Sequence, residues 1–364
     1  MIITAMRQRF FFILALLMML TNTTTADACT GITLRSADGR TVVARTIEWG
    51  GSNLKSSYVV VPRGHTHGSY INGKKEGMRF KARYGYVGLA VEAEENVTEG
   101  LNEAGLSAGL FYFPRYGQYE KYSPANKPTT IGDLQVVSWI LGCFSTIDEV
   151  KEGIRKIHIT ISDPRSSTVH WRIAEPSGRQ VVLEIVDGKV NFYENTIGVL
   201  TNSPGFEWHL TNLNNYINLY AGTEESRNFG GITMTSFGAS SRLIGLPGDA
   251  TPPSRFVRAA FYKATAPQKA TATESVMQCF QILNNFDIPV GIEYEKDKIP
   301  SDIPSATQWT VATDMSGRKI YYRTMYNSAI RCIDLNSIDF KKVIYQSAPL
   351  DTVKTQPVTF VKVK

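Results

Sequence analysis

Residues 29–49 read CTGITLRSADGRTVVARTIEW. Two runs, Cys29 to Leu34 and Thr41 to Arg45, flank Asp38-Gly39, a dipeptide suited to the positive backbone angles of a tight turn. The stretch predicts a β-hairpin that opens the folded chain. Immediately before it stand Ala26-Asp27-Ala28, a small-x-small cleavage pattern. Upstream of that lie Phe10 to Leu20, an apolar run, and the charges of Arg7 and Arg9. This is the layout of a secretory signal. Residues 1–28 are therefore expected to be removed on export to the periplasm or medium, leaving Cys29 as the first residue.

The apolar run falls short of the ~20 residues that span a bilayer. No other stretch of the chain approaches that length, so a soluble exported protein with no membrane anchor is expected. A lipid-modified Cys29 is the competing reading, and the polar segment ahead of the cysteine, TNTTTAD, speaks against it. The net charge of +6 is spread along the chain, so no nucleic-acid partner is expected. Apart from Cys29 there are three cysteines, Cys143, Cys279 and Cys332, an odd number that favours buried thiols or at most one bridge. His65 and His67 lack a third ligand nearby and read as a surface loop. Neither a metal nor a cofactor is implied.

Further along, strands are expected at 58–62 and 83–91, and a turn at Asn102-Glu103-Ala104-Gly105. From Thr130 the period becomes helical: Ile131, Leu134, Val137, Ile140 and Leu141 share a face, and Thr130 with Asp133 resembles a capping box. A second helix starts at Thr146, with Glu149 in the capping position. Strands return at 168–174, 181–186 and 190–193, helices at 210–220, 254–264 and 274–286, and strands from Gln308 to Asp334. Hairpins separated by helix pairs, with no domain break, indicate a single α+β layered domain over 29–364.

A cysteine that becomes the first residue carries two groups of use. Its thiol titrates near ~8.5 and its α-amine near ~7.7–8.0, so one residue supplies both nucleophile and base. Such a site needs a cation beside the sulfur, an acceptor for the ammonium and donors for an oxyanion. Arg45 and Glu48, on the second hairpin strand, supply the first two by residue type. From spacing alone the two read first as a solvated ion pair at the strand end.

Cys29-Thr30-Gly31 followed by Ala44-Arg45-Thr46-Ile47-Glu48-Trp49 resembles the start of the choloylglycine hydrolase and penicillin V acylase family. The likeness continues through Asn102–Leu106, Ala108-Gly109-Leu110, Gly198–Pro204, Asn212–Tyr216, Gly245–Asp249 and Ser254–Arg258. The resemblance implies a four-layer αββα N-terminal-nucleophile fold and hydrolysis of a linear amide through an acyl-thioester. It implies Cys29 as nucleophile and base, Arg45 beside the thiol, Glu48 near the ammonium, Asn202 as an oxyanion donor and Arg255 as a second guanidinium. On residues alone, Asn202 reads as a turn residue and Arg255 as part of a first helical turn. The family usually carries Asp at the Glu48 position. At the second oxyanion position, Asn in bile-salt members and Tyr in acylases, the alignment favours Tyr112 over Phe111, acting through a backbone N–H.

The implied substrate is a small-molecule amide with a bulky acyl group. Conjugated bile salts come first, with penicillin V and acyl-homoserine lactones as alternatives. A non-catalytic exported binding protein is the reading from another class. Trp49, Phe111, Phe113 and Tyr116 are candidates for an acyl pocket. Residues 220–240 resemble the extension through which family members form tetramers.

Overall fold

The computed structural model describes residues 27–363. The expected signal segment lies outside them except for Asp27 and Ala28. In chain order the elements that frame the site begin with β1 (Asp27–Arg35) and β2 (Thr41–Trp49), the arms of the expected hairpin, with Gly39 at φ +83° in its turn. There follow β3 (Ser56–Val61), β4 (Tyr86–Val91), β5 (Val97–Asn102), β6 (Ser107–Tyr112), α1 (Val136–Cys143), α2 (Ile147–Ile154) and β7 (Val169–Ala174). Next come β8 (Gln180–Val186), β9 (Lys189–Glu194), β10 (Val199–Leu200), α3 (Phe206–Asn212), α4 (Pro252–Thr265) and α5 (Ala272–Leu283). The last are β11 (Thr307–Asp314), β12 (Lys319–Thr324), β13 (Asn327–Asp334) and β14 (Gln346–Pro349).

These strands form two antiparallel sheets. One runs β10-β1-β2-β11-β12-β13, the other β9-β8-β7-β6-β5-β4-β3-β14. Helices α4 and α5 cover the outer face of the first sheet, and α1 covers the outer face of the second. The result is the expected α+β arrangement in four layers, αββα. Such a sandwich buries its central strands on both faces, and β2 is buried along its length up to Trp49. Side chains alternate, so Cys29, Gly31, Arg45 and Ile47 face the second sheet. Thr30, Thr46 and Glu48 face the helices. The gap between the sheets is filled by Val43, Trp309 and Val311 against Val87, Leu101, Phe111 and Val182.

The helix expected from Thr130 begins later. Thr130–Gly132 is a short strand paired in parallel with His158–Thr160, and α1 starts at Val136. Tertiary contacts override the local period here. Gly132 donates to the Ser69 hydroxyl at 2.6 Å, and Asp133 accepts from the Ser162 N–H at 2.8 Å, which holds the chain extended. The Thr146 cap is present, its side chain accepting from the Glu149 N–H. The helix expected at 210–220 lies earlier, as α3, and runs on into a 3-10 turn. His65 and His67 do not lie in a loose surface loop. His67 sits in a two-stranded ribbon of 66–68 with 79–81 and stacks on Phe80. All four cysteines are free. Cys279 is buried, Cys143 half-buried and Cys332 exposed, so the expectation of buried thiols fails for Cys332. Among the described residues no helix is long and apolar enough to cross a membrane.

The glycine in Cys29-Thr30-Gly31 is required by the sandwich. A Cβ there would lie 2.9 Å from the Phe111 ring. Gly31→Ala is expected to lower stability by ~1–3 kcal/mol through overpacking, read as a fall in the urea midpoint. An unchanged midpoint would show that the Phe111 ring can yield.

Candidate active site

The five residues singled out as a catalytic set are drawn from β1, β2, the segment after β10 and α4, and they meet at Cys29. Arg45 lies across from Gly31 in the β1–β2 register, one pleat along from Cys29. Its guanidinium is fully buried between the sheets. Nη2 lies 2.6 Å from the Cys29 sulfur, Nε donates to the Thr46 carbonyl, and Nη1 donates to the Leu110 and Thr98 carbonyls. The ring of Phe111 lies beneath it, 4.1 Å from the guanidinium carbon. Phe111 is therefore a platform for the cation, closed off from any substrate. Phe113 is likewise buried and stacks on His170, and with Tyr116 and Trp208 it lines a cavity. Trp49 is half-buried, its indole N–H on the Ser52 hydroxyl, and Tyr116 is exposed.

Asn202 and Arg255 grip the backbone of Cys29. The Cys29 N–H donates to Asn202 Oδ1 at 2.8 Å. Arg255 Nη1 donates to the Cys29 carbonyl at 2.6 Å and to the Thr30 hydroxyl at 2.8 Å, and its Nη2 donates to Asn202 Oδ1 at 2.8 Å. The Asn202 amide nitrogen donates to the Tyr112 carbonyl at 2.8 Å. Asn202 thus bridges β1 and β6, and its contact with Cys29 is made through oxygen, not the amide donor that the resemblance implies. Of Phe111 and Tyr112, it is the Tyr112 backbone N–H that acts on the Cys29 thiol. The Tyr112 hydroxyl is turned away and accepts from the Ser167 N–H.

A profile for linear amide C–N hydrolases of the choloylglycine hydrolase family matches residues 29–352. The chain belongs to the choloylglycine hydrolase family. A bile salt hydrolase/transferase of Clostridium perfringens is 33% identical over 314 residues, covering 85% of this chain and 92% of that protein. A bile salt hydrolase/transferase of Lactiplantibacillus plantarum is 34% identical over 70% of this chain and 78% of its own length. A crystal structure of a conjugated bile acid hydrolase mutant from Clostridium perfringens superimposes with a TM-score of 0.78 at 28% identity, covering 92% of this chain and all of that one. The penicillin V acylase of Agrobacterium tumefaciens, 21% identical with a TM-score of 0.71 over 90% of this chain and 95% of that one, shares the fold. The chain is an amidohydrolase of linear amides.

Within this choloylglycine-family frame the carboxylates are the unusual element. Glu48 faces the helix side beside Ala28, its register partner. It is buried, and neither oxygen has a hydrogen-bond partner among the described residues. Burial pushes its carboxyl up to about 8, with the charges of Arg255 and Arg45 opposing. Such a carboxylate lacks the partner that a free α-ammonium on Cys29 would provide. Glu293, invisible to motif reading, stands beside Gly50 and couples to Arg255 and Glu48; burial pushes it up to about 7. Burial also holds the Cys29 thiol above its ordinary value, with Arg45, Arg255 and the Tyr112 N–H pulling the other way and Glu48 raising it further. With Asp27 and Ala28 in place the sulfur is a thiol.

The two carboxyls give a signed pH dependence. In a version that keeps Asp27 and Ala28, the folded chain holds a proton on Glu48 between about pH 4.5 and 8 that the unfolded chain has released. Stability is therefore full below this window and falls as pH rises through it. Glu293 adds the same sign up to about 7. Glu48→Gln is expected to flatten the fall, measured as urea midpoints at pH 5 and pH 8. Equal slopes for the two proteins would contradict a protonated Glu48.

Proposed function

We propose that removal of residues 1–28 makes Cys29 an N-terminal nucleophile that hydrolyses bile acids conjugated through an amide to glycine or taurine. The observation that carries this reading is the division of labour at one residue. The Cys29 sulfur lies on Arg45 while its nitrogen lies on Asn202, so nucleophile and base are held apart on separate partners. The family match opens on Cys29, and the bile salt hydrolase relatives favour that substrate class over penicillin V.

In the proposed reaction the α-amine takes the thiol proton and the thiolate, beside Arg45, attacks the amide carbon. The Tyr112 N–H, which acts on the Cys29 thiol, is the proposed oxyanion donor, and Asn202 holds the Cys29 nitrogen through Oδ1. The Cys29 ammonium, balanced by Glu48, returns the proton to the leaving amine. A water then cleaves the thioester on Cys29. Arg255 fixes the Cys29 carbonyl and Asn202 throughout, so both reacting atoms stay in register.

The same reading makes the protein exported, on the strength of Arg7, Arg9, the 10–20 apolar run and the Ala26-x-Ala28 pattern. It also makes it a homotetramer. Residues 227–229 and 232–234 form a projecting hairpin whose Phe229 and Ile232, with Phe237 and Ile244 nearby, are largely exposed, and a second copy would cover them.

A hydrolysis panel on the processed protein tests the assignment: glycocholate, taurocholate, penicillin V and a long-chain acyl-homoserine lactone. Conjugated bile salts are expected to give the highest kcat/KM, and preference for penicillin V would overturn the substrate class. Cys29→Ser is expected to lower kcat by several orders of magnitude, as is a version that retains Asp27 and Ala28, because an amide nitrogen is no base. Full turnover by either would refute the mechanism. Sedimentation of the processed protein reads the tetramer directly.

A further inference from the structure

Behind Arg45 lies a second ion pair that the reaction as described does not use. The side chains of Glu99 on β5 and Arg172 on β7 are each 2% exposed. Arg172 Nη2 donates to Glu99 Oε1, and Glu99 Oε2 lies 4.0 Å from Arg45 Nη1. The two residues are not on adjacent strands. Both stand opposite Gly109 on β6, which separates β5 from β7. A Cβ on Gly109 would lie 2.1 Å from Glu99 Oε2, so the missing side chain is what lets the pair meet across β6. The Arg172 guanidinium also lies 5.9 Å from the Phe111 ring that supports Arg45. Sulfur, Arg45, Glu99 and Arg172 thus form one buried row.

We propose that Glu99 and Arg172 are positioning residues that clamp the Arg45 guanidinium against the Cys29 sulfur and set the charge that the sulfur experiences. Arg45 donates to the Leu110 and Thr98 carbonyls on the second sheet, and these alone do not decide how far it leans toward Cys29. Glu99 draws it back by charge, and Arg172 limits that pull by holding the carboxylate from the other side. Burial pushes the Glu99 carboxyl up, and the charges of Arg172 and Arg45 oppose it; a guanidinium on either side, itself always protonated, favours the carboxylate form.

The charged and titratable groups around the sulfur are Arg45 and Glu48 on β2, Glu99 on β5, Arg172 on β7, Arg255 on α4 and, beyond Glu48, Glu293. The two positioning residues act on thiolate formation with opposite signs. Without Glu99, two uncompensated cations stand behind the sulfur and favour thiolate. Without Arg172, Glu99 cancels Arg45 and disfavours it.

The proposal rests on Cys29 as the nucleophile, and the test separates the two. For the processed protein, the pH midpoint of Cys29 alkylation by iodoacetamide is measured by peptide mass, beside kcat and KM on glycocholate. Glu99→Gln is expected to move the midpoint down and Arg172→Gln to move it up, each by roughly one pH unit, with kcat falling and KM retained. Midpoints that stay put, or that move in the same direction, overturn the proposal. Should either single variant fail to fold, the E99Q/R172Q double variant removes one charge of each sign and keeps the net charge behind the sulfur. It is expected to keep the wild-type midpoint and lose about tenfold or more in kcat, and a wild-type kcat would overturn the clamp. If Cys29→Ala retains activity, the nucleophile assignment fails, while the alkylation midpoints of the Cys29-bearing proteins still decide the clamp.

Discussion

A guanidinium buried between two sheets is the constraint around which this molecule is arranged. Arg45 cannot be neutralised, and an unpaired cation in such a place would be strongly destabilising. Every part of the sandwich within reach answers it: the Thr98 and Leu110 carbonyls from the second sheet, the Thr46 carbonyl from its own strand, Phe111 beneath, Glu99 behind and the Cys29 sulfur in front. Gly31 and Gly109 are small for related reasons. One leaves room for the Phe111 platform and the other for the Glu99 carboxylate.

The second anchor is backbone-directed. Asn202 and Arg255 come from parts of the chain far from the hairpin, yet both end on the main chain of Cys29. The Arg255 guanidinium, Asn202 oxygen and Thr30 hydroxyl make a small closed set of bonds. Such sets hold geometry better than single contacts because each partner's freedom is already spent elsewhere. Glu48 stands outside that set, buried and unbonded. Both of its oxygens lack a hydrogen-bond partner among the described residues while residues precede the cysteine.

Local pattern was enough to read the opening hairpin, the Thr146 cap and the later strands, because turn chemistry and alternation act over a few residues. It failed at Thr130, where helical period and extended pairing competed and a contact with Ser162, far along the chain, decided. Arg45 and Glu48 were legible as residue types, but spacing favoured a solvated pair, and only the sandwich buries them. Phe111 read as a pocket aromatic for the same reason, and the sandwich puts it beneath Arg45. Glu99, Arg172 and Glu293 carried no signal. Their significance arises from strand order, which places residues 45, 99 and 172 in a row that no linear spacing encodes.

The strand extension ahead of Cys29 bears on timing. Ala28 is buried and stands in register with Glu48, and Cys29 with Ile47, so the bond joining Ala28 to Cys29 runs inside a paired ladder. Once β1 has closed on β2, one edge of this backbone is paired, and on the other side Asn202 and Arg255 hold the Cys29 N–H and carbonyl. A protease making the proposed cut would meet that bond unencumbered only before the sandwich assembles, so the fold would close around an end already made.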